Sequence, residues 1–370
     1  MGCTMGKLRV GVLFGGKSVE HEVSVVTARA VIAALDLAKY EVVPLGITRD
    51  GGWLAPERSQ HMLVAGSTGG GEGDQASTLV TVENRGLTPL TGLDVVFPLV
   101  HGTMGEDGTL QGLLELAGLP YVGAGVLGSA VGMDKDMMKR VFRDYGLPVG
   151  PFLVLRRSDW ADSRSRWTSR IAAELGFPCF VKPSNGGSSV GISKVNGPDA
   201  LPAALELALT LDRKAVVEQA IDAHELECAV LGNEHPEASV VGEVRSAREF
   251  YDYEAKYFDN RTTLTIPADV PATVSERVRA MAVQVFQAVD CEGMARVDFF
   301  WREADSALFV NEINTIPGFT PMSMYPRMWQ ASGMSYPALV DRLIQLALQR
   351  HREKQTTQFS VDALAPEHTQ

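Results

Sequence analysis

Gly11-Val12-Leu13-Phe14-Gly15-Gly16-Lys17-Ser18 matches the phosphate-cradling pattern GxxxxGK[ST] at every fixed letter. That pattern needs its first glycine after the preceding strand has ended. Here Gly11 lies inside the apolar run Leu8 to Phe14, and ending the strand at Gly11 would leave only Leu8, Arg9 and Val10 to form it. The alternative is a strand closed by a Gly15-Gly16 turn, followed by a helix in which Val23 to Leu35 recur apolar at helical spacing. A ligand would then be met by the residues after the turn, at the helix N-terminus.

The same alternation continues outward. Asp94 to Val100 is a second buried-strand candidate, and it runs through the turn-rich segment His101 to Gly108 into a helix from about Thr109 to Ala117. Alternating strands and helices predict an α/β first domain. Gly66 to Asp74 is Gly-rich and polar, the composition of a surface loop. Asp134 is placed to cap a helix that carries Met137, Met138, Val141, Phe142 and Tyr145 and stops at Gly146 and Pro148, with a domain boundary near residue 123. Cys179 to Lys182 and Val190 to Ser193 flank a Gly/Ser loop, Val216 to Ile221 reads as a strand, and the stripe Val274, Val278, Met281, Ala282, Val285, Phe286 and Val289 as a helix. The rest of the C-terminal half reads as strands and turns, and a polar tail is expected from about Lys354.

Composition removes several classes of function. A chain of 370 residues, 45% hydrophobic, suggests two or three packed units. Acidic residues outnumber basic ones by 45 to 34 and no Lys/Arg-rich run could follow a phosphate backbone, so nucleic acid is not an expected partner. Cys3, Cys179, Cys228 and Cys291 lie far apart with no CxxC pair, as free thiols of a reducing compartment do. Neither an export signal, an acylation signal at Gly2 nor an apolar run of bilayer length is present, so a cytoplasmic protein without membrane contact is expected. His21-Glu22 and His224-Glu225 each lack the second histidine of a zinc protease motif.

Two segments carry chemistry. Lys182-Pro-Ser-Asn-Gly186-Gly187-Ser188-Ser189-Val-Gly191 offers backbone N–H groups freed by glycines, hydroxyls and a leading lysine, a set suited to covering a triphosphate. Ala295 to Trp301 and Leu308 to Asn314 both alternate strictly around a polar turn, so a hairpin would put Asp298, Glu312 and Asn314 on one face with Arg296 beside them. Oxygen donors at that spacing suit Mg²⁺ rather than zinc. Metal face and phosphate loop together predict phosphoryl transfer from ATP. Glu20, just after the Gly15-Gly16 turn, either complements the helix dipole or grips a substrate ammonium.

Seven ordered segments together resemble the D-alanine:D-alanine ligase family of the ATP-grasp superfamily: Gly15 to Ser24, His101 to Gly112, Met133 to Lys135, Lys182 to Gly191, Tyr251 to Tyr257, Arg296 to Asp298 and Asn311 to Thr320. The resemblance runs over nearly the whole chain. It implies an α/β protein of three-domain ATP-grasp architecture: an N-terminal α/β substrate domain over residues 1–122, a central subdomain over 123–219, and a C-terminal metal-bearing subdomain over 220–353, with ATP held between two β-sheets. It also implies the reaction: two D-alanine molecules are joined through a D-alanyl phosphate, with ATP as phosphoryl donor, in peptidoglycan precursor synthesis. Mg²⁺ would sit on Asp298, Glu312 and Asn314, and Mn²⁺ could substitute.

By position, the resemblance assigns Lys135 and Lys182 to the phosphates and the Gly186, Gly187, Ser188 and Ser189 loop to covering them. Glu225 falls to the ribose and Glu218 with its neighbours to the adenine, while Asn311 and Glu312 also face the nucleotide. Glu20 would hold the first D-alanine's ammonium, and His101 would lie near its carboxylate. Arg296 and the Gly318 N–H would stabilise the tetrahedral oxyanion, and Ser323 and Met324 would seat the second carboxylate. Lys256 and Tyr257 belong to a lid, with Tyr257, Ser188 and Glu20 joined by hydrogen bonds on closure. A tyrosine at this lid position goes with peptide formation rather than depsipeptide formation. A homodimer is compatible with the resemblance. A depsipeptide-forming relative, a P-loop kinase and a non-catalytic nucleotide-binding module are the competing readings.

Overall fold

β1 (Leu8–Gly15) is buried because it is the middle strand of a parallel sheet, flanked by β2 (Tyr40–Ile47) and β3 (Val95–Pro98). The computed structural model describes residues 6–65, 90–245 and 263–357, and the Gly66 to Asp74 stretch lies outside them. Gly11 pairs with Val43 on one side and Val96 on the other, so it is mid-strand. A Cβ there would stand 2.7 Å from Leu93 Cδ1, which is why glycine occupies this point of the core. The turn falls at Gly15 and Gly16, with φ of +91° and +100°, values that L side chains rarely adopt. Ser24 locks the turn: its buried hydroxyl accepts from the Gly15 N–H at 2.8 Å and donates to the Leu99 carbonyl at 2.5 Å. The GGKS letters therefore end a strand instead of forming a P-loop.

Helices α1 (His21–Ala34) and α2 (Pro56–Ala65) cover this sheet, and α3 (Thr109–Leu116) follows the His101 turn. Next come α4 (Val126–Met133) and α5 (Lys135–Asp144). Asp134 caps α5 as expected, its side chain accepting from the Asp136 and Met137 N–H groups. The buried side of α5 differs from the expected one: Met138 and Phe142 are buried together with Lys135 and Lys139, while Met137 and Tyr145 are exposed. Two buried lysines on that face are the first sign that it looks into a polar site.

The central unit is an antiparallel sheet ordered β4-β7-β5-β6, built from β4 (Phe152–Arg156), β5 (Cys179–Pro183), β6 (Ser193–Val195) and β7 (Lys214–Gln219). With α6 (Arg157–Asp162), α7 (Arg164–Glu174) and α8 (Leu201–Leu211) it buries a separate core that includes Leu155, Ile171, Val181, Leu205 and Val217.

The C-terminal sheet is ordered β10-β9-β8-β11-β12. Its strands are β8 (His224–Gly232), β9 (Glu237–Arg245), β10 (Thr263–Thr265), β11 (Gly293–Arg302) and β12 (Ala307–Asn314). Along β11 the side chains divide by parity. Ala295, Val297, Phe299 and Trp301 enter the core under α9 (Ala272–Ala288), whose Val274, Val278, Ala282, Val285 and Phe286 form the expected buried stripe. Met294 points the other way into a second core, and Arg296, Asp298 and Phe300 continue that face into an open cleft.

The C-terminus departs from the expectation of strands and turns, because it ends in α10 (Met324–Ala331) and α11 (Tyr336–Gln355). Lys354 and Gln355, assigned by composition to a tail, are the last residues of α11, whose Leu339, Val340, Leu343 and Ile344 are fully buried. Those residues pack in one core with Val10, Val12 and Phe14 of β1 and with Tyr325 of α10, so the two ends of the chain share a hydrophobic interior. Arg350 of α11 donates to the Tyr121 carbonyl at 2.9 Å and to the Gly123 carbonyl, and stacks over the Tyr121 ring. That fixes the chain where it leaves the first sheet. Among the described residues no helix is long and apolar enough to cross a membrane.

Candidate active site

Two cavities meet between the sheets. The first is lined by Glu20, His101, Lys135, Gly187 and Gly318, and the second by Phe180, Lys182, Glu218, Glu225, Asp298 and Asn311. Arg296, Glu312, Ser189 and Ile192 line both, so a wall built from the β11–β12 hairpin and edged by the loop after β5 separates the two spaces. The second measures about 500 Å³, within the range of roughly 300 to 1,000 Å³ that small-molecule sites occupy.

The dividing wall comes from the β11–β12 hairpin. Asp298 pairs with Glu312 and Arg296 with Asn314 in the antiparallel register, as the alternation required, and a register shift after Asp298 leaves Asn311 without an opposite residue. Arg296 Nε and Nη2 donate to Asp298 Oδ1 and Oδ2 at 2.7 and 2.6 Å, and Nε also lies 3.1 Å from Glu227 Oε2. Burial works against the Arg296 charge, but Asp298 and Glu227 hold its pKa well above the ordinary arginine value. The Asn314 amide donates through Nδ2 to Asp298 Oδ2 at 3.0 Å, which leaves its Oδ1 as a further oxygen donor. Two carboxylates and an amide oxygen on adjacent strands form an all-oxygen set, the chemistry of a hard divalent cation. Among the described residues no group of three His, Cys, Asp or Glu gathers as an alternative metal cluster.

The floor of the second cavity holds charges paired inside the protein. Glu218 Oε2 accepts from Lys182 at 2.9 Å and Oε1 lies 3.3 Å from Lys139, all three side chains being buried. Burial alone would raise the Glu218 pKa; the two ammonium groups lower it to about 2. Lys139 also donates to the Asn311 carbonyl at 3.1 Å. Glu225 is in the opposite situation: burial first, then the nearby Asp298, push its carboxyl up to about 7.

Glu218 gives a direct check by pH. A carboxyl held below its ordinary 4.5 contributes stability that is present above pH 4.5 and lost as the pH falls toward 2. Urea midpoints for Glu218→Gln should lie below wild type at pH 7 and converge on it as the pH is lowered through that window. Parallel curves would show that the Lys139 and Lys182 pairs contribute nothing to stability.

The phosphate-loop residues lie where β5 turns toward β6. Ser188 and Ser189 both have positive φ, +52° and +58°, a conformation uncommon for residues with a Cβ and found chiefly where neighbouring structure enforces it. Lys135 Nζ donates to the Gly186 carbonyl at 2.7 Å, holding the loop over the first cavity. A Cβ on Gly187 would stand 3.8 Å from Glu20 Oε2, so loop and carboxylate are neighbours. His101 is buried with Nδ1 3.1 Å from the Ile316 carbonyl.

Most of the expected residues converge here, but some do not. Ser323 lines neither cavity; it sits behind Gly318, where its hydroxyl accepts from the Thr320 N–H at 3.1 Å. The Met324 side chain is in the core, so only its backbone N–H could meet a carboxylate. Lys256 and Tyr257 lie outside the described residues. Lys139 and Glu227 were missed, although the sequence signalled both: Lys139 is four residues from Lys135 on one helix, and Glu227 is two from Glu225 on one strand.

A family model described as D-ala D-ala ligase N-terminus matches residues 9–124, and one described as D-ala D-ala ligase C-terminus matches residues 141–345. The chain is 48% identical to the D-alanine–D-alanine ligase of Geobacillus kaustophilus, over 96% of this chain and 98% of that protein. It is 49% identical to D-alanine–D-alanine ligase A of Chromobacterium violaceum, over 94% and 97%. Among solved structures, the D-alanine-D-alanine ligase of Coxiella burnetii superposes with a TM-score of 0.77 at 40% identity, covering 95% of this chain and 96% of that one. VanG D-Ala:D-Ser ligase of Enterococcus faecalis superposes with a TM-score of 0.78 at 35% identity, covering 92% and 100%.

Proposed function

We infer how the two cavities work together from one premise: the chain belongs to the D-alanine–D-alanine ligase family. Its fold is the ATP-grasp fold, and it is an ATP-dependent ligase that forms D-alanyl-D-alanine for peptidoglycan synthesis. The observation that carries the mechanism is the shared wall, which puts Arg296 and Glu312 against both spaces.

The second cavity takes the nucleoside end of ATP, and the phosphates reach across the shared wall toward the first. Lys182, Lys135 and the backbone of Gly186 to Ser189 face the phosphates, Glu225 the ribose, and Glu218 with its neighbours the adenine end. The first D-alanine lies in the first cavity with its ammonium on Glu20 and its carboxylate near His101. Its carboxylate oxygen attacks the γ-phosphorus and ADP leaves, giving an acyl phosphate. The second D-alanine, its carboxylate seated by Ser323 and the Met324 N–H, attacks the acyl carbon through its neutral amine. Charge then develops on the former carbonyl oxygen, which Arg296 and the Gly318 N–H face; the nitrogen gives up a proton to solvent or to the leaving group, the carbon–oxygen bond to phosphate breaks, and the peptide forms. Mg²⁺, or Mn²⁺ in its place, would be held by Asp298, Glu312 and Asn314 and would neutralise charge on the phosphates.

Acyl phosphates hydrolyse, so water must be kept out, and the segment with Lys256 and Tyr257 is assigned to that lid. The boundaries at residues 122 and 219 belong to this proposal, and the one at 219 is supported by the separate core of the central sheet. Use of ATP and the buried free thiols of Cys179, Cys228 and Cys291 among the described residues support a cytoplasmic enzyme.

ADP release measured with ATP and Mg²⁺ should depend on D-alanine, be absent with L-alanine, and be matched by a dipeptide product. ADP release indifferent to D-alanine would overturn the mechanism.

A further inference from the structure

We infer that Lys214, which lines neither cavity, is a positioning residue for nucleotide binding: it fixes the start of α5 against the base of the phosphate loop. The inference rests on the ATP site proposed above.

Lys214 opens β7 and is 5% exposed. Its ammonium lies 2.7 and 2.9 Å from the two oxygens of Asp134 and 3.1 Å from Asp136 Oδ2. Three donors thus meet three carboxylate oxygens. Ser184, fully buried at the base of the loop, ties into the same cluster. Its hydroxyl donates to Asp134 Oδ1 at 2.7 Å, its carbonyl accepts from the Lys135 N–H at 2.8 Å, and its N–H donates to the Lys214 carbonyl at 3.0 Å. One residue further on, the Asn185 N–H donates to Asp212 Oδ2 at 2.8 Å. Three segments therefore converge on one ammonium: the α5 N-terminus with Lys135 and Lys139, the loop base at 184 to 186, and the first residue of β7.

The charge arrangement gives the reason for a lysine at this point. Asp134 and Asp136 flank Lys135, whose ammonium reaches the Gly186 carbonyl at the mouth of the first cavity. Without Lys214, Asp134 would lose its ammonium partner and Asp136 would keep only Arg140, which is half exposed, so the α5 start that carries Lys135 would no longer be held against the loop base. Lys214 satisfies them from behind and leaves Lys135 directed into the site.

The test is binding of a non-hydrolysable ATP analogue with Mg²⁺, read by calorimetry without D-alanine, alongside steady-state kinetics with each substrate varied. Lys214→Met should weaken analogue binding and raise the KM for ATP by about ten- to a hundredfold, the size of a lost charge-assisted hydrogen bond, with the KM for D-alanine unchanged. Lys214→Arg should recover most of the loss. Ser184→Ala, which leaves no buried charge behind, should shift the KM for ATP in the same direction by less, and it decides the matter alone if Lys214→Met fails to fold. Unchanged ATP affinity in Lys214→Met, or in Ser184→Ala if that variant must decide, with only kcat reduced, would overturn the inference and leave the cluster as packing. Failure of the wild-type protein to bind the analogue would instead refute the ATP site itself.

Discussion

Replacing Asp298 with Ala is expected to lower the rate of ADP formation at least about a thousandfold, the loss of several kcal/mol of charge stabilisation that a divalent cation supplies to phosphoryl transfer. Asp298 is central to the wall between the two cavities: it accepts both Arg296 donors and the Asn314 amide, and it pairs with Glu312 across the hairpin. The fold should survive the change, because Glu227 remains 3.1 Å from Arg296 and keeps that guanidinium from standing alone. Circular dichroism and a thermal melt near wild type, combined with lost turnover that added Mg²⁺ does not restore, is the expected pattern. Wild-type turnover by this variant at limiting Mg²⁺ would rule out the metal face.

Arg296→Lys should cost about a hundred- to a thousandfold in kcat, with little change in the KM for ATP, as removal of an oxyanion donor does. The substitution keeps the charge and loses the fork. A guanidinium holds both Asp298 oxygens through its planar fork while facing Glu227, whereas the shorter, tetrahedral ammonium of lysine has no fork to match that geometry. Arginine here is therefore a matter of geometry, and full activity with lysine would show that charge alone suffices. Pre-steady-state measurement should find acyl phosphate formation less affected than peptide formation, since the oxyanion develops only when the amine attacks.

The ordering of the hairpin groups was legible because strand alternation has a period of two, so Arg296, Asp298, Glu312 and Asn314 had to share a face once the turn was found. The rejection of the P-loop was legible for the same kind of reason: Gly11 had apolar residues on both sides and had to be inside a strand. The helices that follow Ser323 were not read, though the second was signalled. Gly333 and the serines beside it drew the reading toward turns, although Leu339, Val340, Leu343, Ile344 and Ala347 recur at helical spacing behind the Ser335 cap and Pro337. The buried pairs were hidden for another reason. The spacing of Lys139 from Lys135 places it on the site-facing side of α5 but not against Glu218, and Lys214 looks like an ordinary surface lysine, with nothing in sequence to show that Asp134 approaches from another element.

The interior that β1 shares with α11 brings together residues more than three hundred positions apart, Val10 with Leu343 for instance. During synthesis the first sheet must leave the ribosome with that face covered only in part, by Val25, Ala28 and Val31 of α1, until the residues of α11 are made. That face is the aggregation risk of the nascent protein. Only after the last helix has cleared the exit tunnel can the first strand be sealed, which makes the protein slow to mature and dependent on whatever shields its opening residues in the interval.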